Sequence, residues 1–414
     1  MSATLGVKLI GNTFVLEDGG NSIIYCPSKG LIDRSEGSTG DILKKYREYG
    51  CFEEVEIGER KWDGFKSLTL FLTRDCNLRC KYCYAHAGEK CGKMELELAY
   101  AAVDYYFGQK KIDQGRISFH GGGEPTLEIE NIKKIVGRIK VVQPKNVTYY
   151  LSTNGVVGLD TLEWLMGNGV SISVSADGEP EIQNRNRPMW DGGESSMYVE
   201  RTIKYLREQG KRVTVRMTYT EDMDIERSIR YLASVGATTV HFEPLFPDGR
   251  CYTTDDDSAP AADKMFEAFK KAMQVSREVG VKLFCSHLAS MKRWIGYFCG
   301  GCDSRAMMVT HDGVVVKCIE TVDRDNAQLE EFKVGEWNGT EFRMRSEEEI
   351  RSGMRHVDDI EECRDCFARY VCAGGCPRKA HKVYGDIRSP EKPYCEFTKL
   401  AVPYLIQETW KRSA

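Results

Sequence analysis

From residue 67 onward the apolar positions alternate between two rhythms. Short runs rich in Val, Ile, Leu and Phe read as strands: Ser67–Thr73, Arg116–Phe119, Val147–Ser152, Val170–Ser175, Val213–Thr218 and Thr238–Glu243. Between and after them, apolar residues recur every three or four positions, as one face of a helix requires. Met94–Phe107 is an example, with Leu96, Ala99, Val103 and Phe107 in register. Ile129–Ile139, Leu159–Met166, Tyr198–Glu208, Ile225–Ser234 and Ala261–Val279 follow the same rule. Six strand–helix units in a row predict an α/β fold, a parallel sheet with helices outside.

The two ends break this pattern. Residues 1–66 read as a small α+β unit. Val7–Ile10, Thr13–Leu16 and Ser22–Tyr25 are strand-like, separated by the turns Gly11-Asn12 and Gly19-Gly20-Asn21, and a short amphipathic helix is expected over Asp41–Tyr46. From Ser290 the alternation stops and the chain becomes dense in cysteine. Three units are therefore expected: 1–66, 67–290 and 291–414.

Composition narrows the function. The chain has 414 residues and 41% apolar side chains, enough for a sizeable core. Its formal net charge of −4, without a Lys/Arg-rich run, argues against nucleic acid as a partner. No run of about 18 apolar residues predicts a membrane span. The first residues lack the basic and apolar pattern of an export signal, so a cytoplasmic location is expected. In a reducing compartment, clustered cysteines more often bind metal than form disulfides. Of the sixteen cysteines, three lie at 76, 80 and 83 and eight lie between 299 and 395. The scattered five (Cys26, Cys51, Cys91, Cys251 and Cys285) read as small buried apolar residues.

In a parallel α/β barrel, chemistry is carried by the loops after the strands. The unusual residues fall there. Cys76–Cys83 follow the first strand and Gly121-Gly-Gly-Glu-Pro125 the second. Ser152 and Asn154 end the third, Ser175 and Asp177 the fourth, Arg216 the fifth and Glu243 the sixth. Cys76-x3-Cys80-x2-Cys83 suits three irons of a cubane cluster, leaving a fourth iron without a protein ligand. Zinc is the competing metal; it needs four ligands, and His86 offers the fourth.

These motifs resemble the radical S-adenosylmethionine (SAM) family. The resemblance rests on the cysteine triad with aromatic Tyr82 before its third member, and on Gly122-Gly123-Glu124-Pro125. It implies a partial (β/α)6 barrel in which Cys76, Cys80 and Cys83 hold a [4Fe–4S] cluster. The open iron would chelate SAM, and one electron would then break a carbon–sulfur bond to give a 5′-deoxyadenosyl radical. Glu124 would meet the SAM ammonium, with Gly122 and Gly123 allowing close backbone approach. Ser152 and Asn154 would lie near the ribose, with Ser175, Asp177 and Arg216 also around SAM. Arg187 would meet the carboxylate, for which a guanidinium is suited.

Downstream, Cys363-x2-Cys366-x5-Cys372-x3-Cys376 and Cys395, with Cys302 and Cys318 before them, resemble a SPASM domain. That domain carries two auxiliary [4Fe–4S] clusters. Cys363, Cys366, Cys372 and Cys395 would hold one. Cys318 and Cys376 would hold the other with Cys302, and with Cys299, which could also be a free thiol. Zinc pairs look similar locally.

Enzymes with this extension mostly oxidise residues of peptides or proteins. The expected function is therefore peptide or protein modification by a crosslink or dehydrogenation, as in maturases of ribosomally made peptides. Residues 1–66 would be either a reduced peptide-recognition element or a cover for the barrel. A flavodoxin or ferredoxin would supply electrons, and the clusters would be oxygen-sensitive. The anaerobic sulfatase maturases are the alternative. They tend to carry an aspartate directly after the cysteine matching Cys318, where this chain has Ile319 and then Glu320. A small-molecule dehydrogenase and a non-catalytic electron carrier are further alternatives. Glu243, Asp177 and Glu320 are the candidate bases.

Overall fold

In the computed structural model, residues 6–413 are described except 19–20, 37–38, 55–56, 58–60, 110–111, 113, 144, 252–259, 289–290 and 292–293. The expected helix and strands of the N-terminal unit are present. Strands β1 (Val7–Ile10), β2 (Thr13–Asp18), β3 (Asn21–Cys26) and β4 (Leu31–Glu36) form an antiparallel sheet in sequential order, followed by a helix over Thr39–Arg47. β4 was not expected, because Leu31-Ile32-Asp33-Arg34 lacks clean alternation. The sheet is not detached: Phe14, Leu16, Ile23 and Tyr25 share one core with Val402 and Ile406 of the C-terminal helix Lys392–Ser413. The Phe14 and Trp294 rings lie 5.1 Å apart.

The expected parallel sheet is present and longer by one strand. β5 (Ser67–Leu70), β6 (Gly115–Phe119), β7 (Val147–Thr153), β8 (Val170–Ser175), β9 (Thr214–Tyr219), β10 (Thr239–Pro244) and β11 (Lys282–Phe284) pair in chain order, all parallel. β5 stops at Leu70 rather than Thr73 because the chain there turns into the cysteine loop. The sheet also continues past β5. β12 (Ala306–Val309) pairs parallel with β5, and β13 (Val314–Val316), β14 (Lys333–Trp337) and β15 (Phe342–Met344) add antiparallel strands. One sheet of eleven strands thus runs through the barrel and the cysteine-rich part.

Register divides the parallel sheet by chemistry. One set of rows is apolar, as in Leu68–Ile117–Tyr149 and Val174–Val215–Val240. These rows pack against helix residues such as Ile132, Ile135, Ile229 and Phe269. The alternate rows are polar: Thr69–Ser118–Tyr150, Ser152–Ser173–Thr214, Ser175–Arg216–His241 and Thr218–Glu243. Successive strand side chains point to opposite faces, so the helices cover an apolar face and the barrel interior is polar. A closed barrel of this class is ordinarily filled with branched apolar side chains. Here the open barrel keeps polar groups beneath the strand ends, where a polar ligand can be held.

Candidate active site

The loop after β5 carries Cys76, Cys80 and Cys83, all partly exposed. It is pinned by arginines. Arg79 Nη1 donates to Cys76 O at 2.8 Å, and its Nη2 to Gly88 O at 2.9 Å. Arg250, after β10, donates from Nη1 to Cys80 O at 2.9 Å and from Nη2 to Ala87 O at 2.6 Å. Its side chain also pairs with Glu89, and its backbone N–H meets Cys83 O at 3.3 Å. Arg74 forms a buried ion pair with Asp323, tying the loop to the segment after Cys318. None of these arginines stood out in the sequence. The turn pair Asp248-Gly249 at the end of a strand was the only available signal for Arg250.

Burial pushes the Cys76 thiol up to about 12, with the Glu124 carboxylate adding to it, and pushes Cys80 up to about 11 despite Arg187 nearby. Cys80 and Cys83 add to the rise at Cys76, and Cys83 to that at Cys80. Thiols crowded in this way disfavour the thiolate unless a cation joins them, and metal binding is what releases their protons.

The glycine-rich turn after β6 packs on this loop. A Cβ at Gly123 would stand 2.0 Å from Asp75 O, and one at Gly122 would stand 2.7 Å from Thr73 O. The close approach these glycines allow is therefore to the cysteine loop's backbone. Glu124 is buried and accepts four hydrogen bonds. Oε1 takes Thr126 N at 3.2 Å, Thr126 Oγ1 at 2.7 Å and Thr153 Oγ1 at 2.8 Å, while Oε2 takes Asn154 N at 2.7 Å. Oε2 keeps acceptor capacity for a ligand's ammonium. Asn154 Nδ2 reaches Asn77 Oδ1 at 2.6 Å and lies 3.6 Å from Cys76 Sγ. Ser152 accepts from Ser173 Oγ at 3.3 Å, on the barrel's polar face.

At the end of β8, Asp177 is fully buried beneath Arg187, which contacts it through two nitrogens. Tyr82 donates to the same carboxylate, and the Arg187 guanidinium lies 5.1 Å from the Tyr82 ring centre. The cysteine loop is thus stapled to β8, and Arg187 reaches a ligand only with the groups Asp177 leaves free. Ser175 and Arg216 face each other in register at the barrel mouth. His120, beside Arg216, is held down to about 4 by burial and by that guanidinium, so it is a neutral imidazole at pH 7. A lone histidine before a glycine turn carries no sequence pattern, so only the fold reveals its place.

The downstream cysteines fall into two groups. Cys363, Cys366, Cys372 and Cys395 line one cavity. Burial pushes Cys363 up to about 12, and Cys366 and Cys395 push it in the same direction. In the other group, Cys299 Sγ and Cys302 Sγ lie 3.7 Å apart. Hydrogen bonding chiefly to Cys302, then burial, raises the Cys299 thiol, with Cys376 and Cys318 adding to the rise. Chain positions up to 77 residues apart in sequence are gathered here. Among the described residues no three His, Cys, Asp or Glu groups converge to hold a single metal ion. Cubane thiolates bind separate irons and need no such convergence. Both groups have the donor type and number that a [4Fe–4S] cluster requires.

Residues 70–233 match the model of the radical SAM superfamily. The serine-type anaerobic sulfatase-maturating enzyme of Bacteroides thetaiotaomicron is 23% identical over 367 residues, covering 80% of this chain and 87% of that enzyme. Among solved structures, native anSMEcpe with bound AdoMet aligns with a TM-score of 0.68 at 20% identity, over 83% of this chain and 99% of its own. Streptococcus suis SuiB bound to precursor peptide SuiA aligns with a TM-score of 0.59 at 13% identity, over 94% of this chain and 100% of its own. Residues 70–233, which carry the strand-end site, thus match the radical SAM superfamily, and the chain is similar along most of its length to sulfatase-maturating enzymes and in fold to SuiB.

Proposed function

We propose that this protein cleaves SAM reductively and uses the resulting radical to oxidise a residue of a peptide or protein, by a crosslink or a dehydrogenation. The radical SAM match over residues 70–233 implies SAM and one [4Fe–4S] cluster. The observation that carries the finer reading is the presence of two four-cysteine groups beyond the strand-end site. On this reading Cys76, Cys80 and Cys83 hold the SAM-binding cluster. Cys299, Cys302, Cys318 and Cys376 hold one auxiliary cluster, and Cys363, Cys366, Cys372 and Cys395 the other. When bound, the first cluster would supply the electron for breaking the SAM carbon–sulfur bond, and auxiliary clusters would offer the substrate's electron a way out.

The chain's own residues do the rest. Glu124 Oε2 would take the SAM ammonium, Asn154 and Ser152 would border the ribose, Arg187 would meet the carboxylate, and Ser175 and Arg216 would lie around the same ligand. Of the candidate bases, Asp177 is saturated by Tyr82, Arg187 and the Thr218 N–H. Glu243 is bound to His241 at 2.7 Å. Glu320 is held less closely, with Arg378 Nη1 at 3.2 Å, and we assign it the substrate proton. Among the described residues no helix is long and apolar enough to cross a membrane. We place the reaction in the cytoplasm, with a flavodoxin or ferredoxin as donor.

Formylglycine formation is the second reading, supported by likeness to the sulfatase-maturating enzymes. The test is anaerobic reconstitution followed by SAM and a reductant. The expected result is about twelve irons per chain and release of 5′-deoxyadenosine, both following from three cubanes of which one is open. The triple variant Cys76→Ala/Cys80→Ala/Cys83→Ala should keep about eight irons and release none. Saturation near four irons with stoichiometric zinc would refute the reading. Hydrazide labelling of a cysteine- or serine-containing sulfatase peptide after turnover would select the second reading.

A further inference from the structure

Arg355 is the largest fully buried side chain among the described residues, 1% exposed. It makes no ion pair among them. Its guanidinium is surrounded by main-chain carbonyls instead. Nη1 donates to Ala373 O at 3.3 Å and Gly375 O at 2.9 Å, and Nη2 to Gly374 O at 3.0 Å and Ser389 O at 2.9 Å. Nε has no hydrogen-bond partner. Three of these carbonyls turn inward because Ala373, Gly374 and Gly375 are consecutively left-handed, with φ of 46°, 76° and 76°. That conformation is unfavourable for alanine. A Cβ on Gly374 would stand 2.4 Å from Ile360 Cδ1 and 3.1 Å from Arg355 Nη2.

The turn wrapped around this cation is Cys372-Ala-Gly-Gly-Cys376, which joins the two four-cysteine groups. Arg355 touches the group of Cys299 and Cys302 directly, its backbone N–H donating to Cys302 O at 2.9 Å. Its guanidinium lies against the carbonyls of Ala373, Gly374 and Gly375, between Cys372 of one group and Cys376 of the other. A buried cation without an anion is costly. The carbonyls supply dipoles but no charge, and metal-bound thiolates on either side would supply it.

We propose that Arg355 is the shared counter-cation of the two auxiliary clusters, a positioning residue that raises the reduction potential of both. This rests on the three-cluster reading above. A cubane with four thiolate ligands is a net anion, and reduction makes it more so, so a cation between two of them favours their reduced forms. The same residue holds the turn that sets their separation.

The test uses the full chain with Cys76, Cys80 and Cys83 replaced by alanine, so that only auxiliary iron reports. Arg355→Gln removes the charge and Arg355→Lys keeps it. Redox titration followed by electron paramagnetic resonance should show both couples moving to more negative potential in Arg355→Gln, with most of the shift recovered in Arg355→Lys. If Arg355→Gln fails to load iron, loading is itself the readout, and Arg355→Lys should load at least half the parent's iron. Unchanged potentials in a fully loaded Arg355→Gln would overturn the proposal. So would a lysine variant behaving like glutamine, since the turn's hydrogen bonds rather than the charge would then matter. A parent chain without auxiliary iron would instead remove the three-cluster reading, and Arg355's role with it.

Discussion

Arg187 closes on Asp177 through two contacts, Nε to Oδ2 at 3.1 Å and Nη2 to Oδ1 at 3.0 Å, with the carboxylate wholly buried. The pair links the helix Pro180–Asn186 to the end of β8 and, through the Tyr82 hydroxyl, to the cysteine loop. Removing one partner of such a pair leaves the other charge buried and alone. Asp177→Asn should therefore destabilise the protein by about 3–5 kcal/mol. Urea unfolding of the iron-free chain would measure it. A loss under about 1 kcal/mol would mean that the pair is not closed in solution.

Gly123 stands where a side chain would collide with the Asp75 carbonyl, a main-chain atom that cannot swing away. Gly123→Ala should displace the cysteine loop while leaving the downstream cysteines in place. Reconstituted iron should fall by about one cubane of three, and SAM should no longer perturb the remaining spectrum. Full iron loading with normal SAM cleavage would contradict the packing described.

Cys299 and Cys302 bring their sulfurs to 3.7 Å, so both reach the same place. We expect the auxiliary cluster there to be closed by four cysteines, passing an electron without binding a substrate thiolate. Cys299→Ala should then open one iron. Added cyanide or a small thiol should change the cluster's magnetic spectrum in this variant and not in the parent. A parent that responds equally would show an iron already open.

Glu243 is pushed up by burial, but the hydrogen bond from His241 and the charges of His287 and Lys379 outweigh this and hold it well below the usual carboxylate range. A carboxylate lowered on folding contributes stability that is present above its ordinary value of about 4.3 and is lost as pH falls toward its folded value. Glu243→Gln should thus destabilise the protein by about 1.5–3 kcal/mol at pH 7. The gap between parent and variant should narrow steadily below about pH 4.3, and thermal melts across pH would follow it. A gap independent of pH would assign the effect to packing alone.

Much of this architecture was written locally. The period of the apolar residues marked β8 at its observed ends and the helix Ile225–Ser234 likewise, because both lie between clear turn residues and bury one continuous face. Cysteine spacing, and glycines followed by Glu124, marked the site, since those motifs need several neighbours on one short loop. β11, β12 and the helix Lys392–Ser413 were not legible. β11 is three residues long, and the helix has apolar residues around most of its girth because it serves both the barrel helices and the N-terminal sheet.

What the sequence determined by itself was the set of reactive groups and the ends of strands that carry them, because motif and periodicity are short-range properties of the chain. Only the tertiary structure decided who meets whom. Asp177 proved to be occupied by Arg187 and Tyr82, Arg250 to hold the cysteine loop from the far side of the barrel, and Arg355 to be enclosed by the turn Cys372–Cys376. Such pairings depend on which distant charges share a buried space, where an unpaired charge is too costly to leave. That cost is set by burial, and burial exists only once the chain has folded.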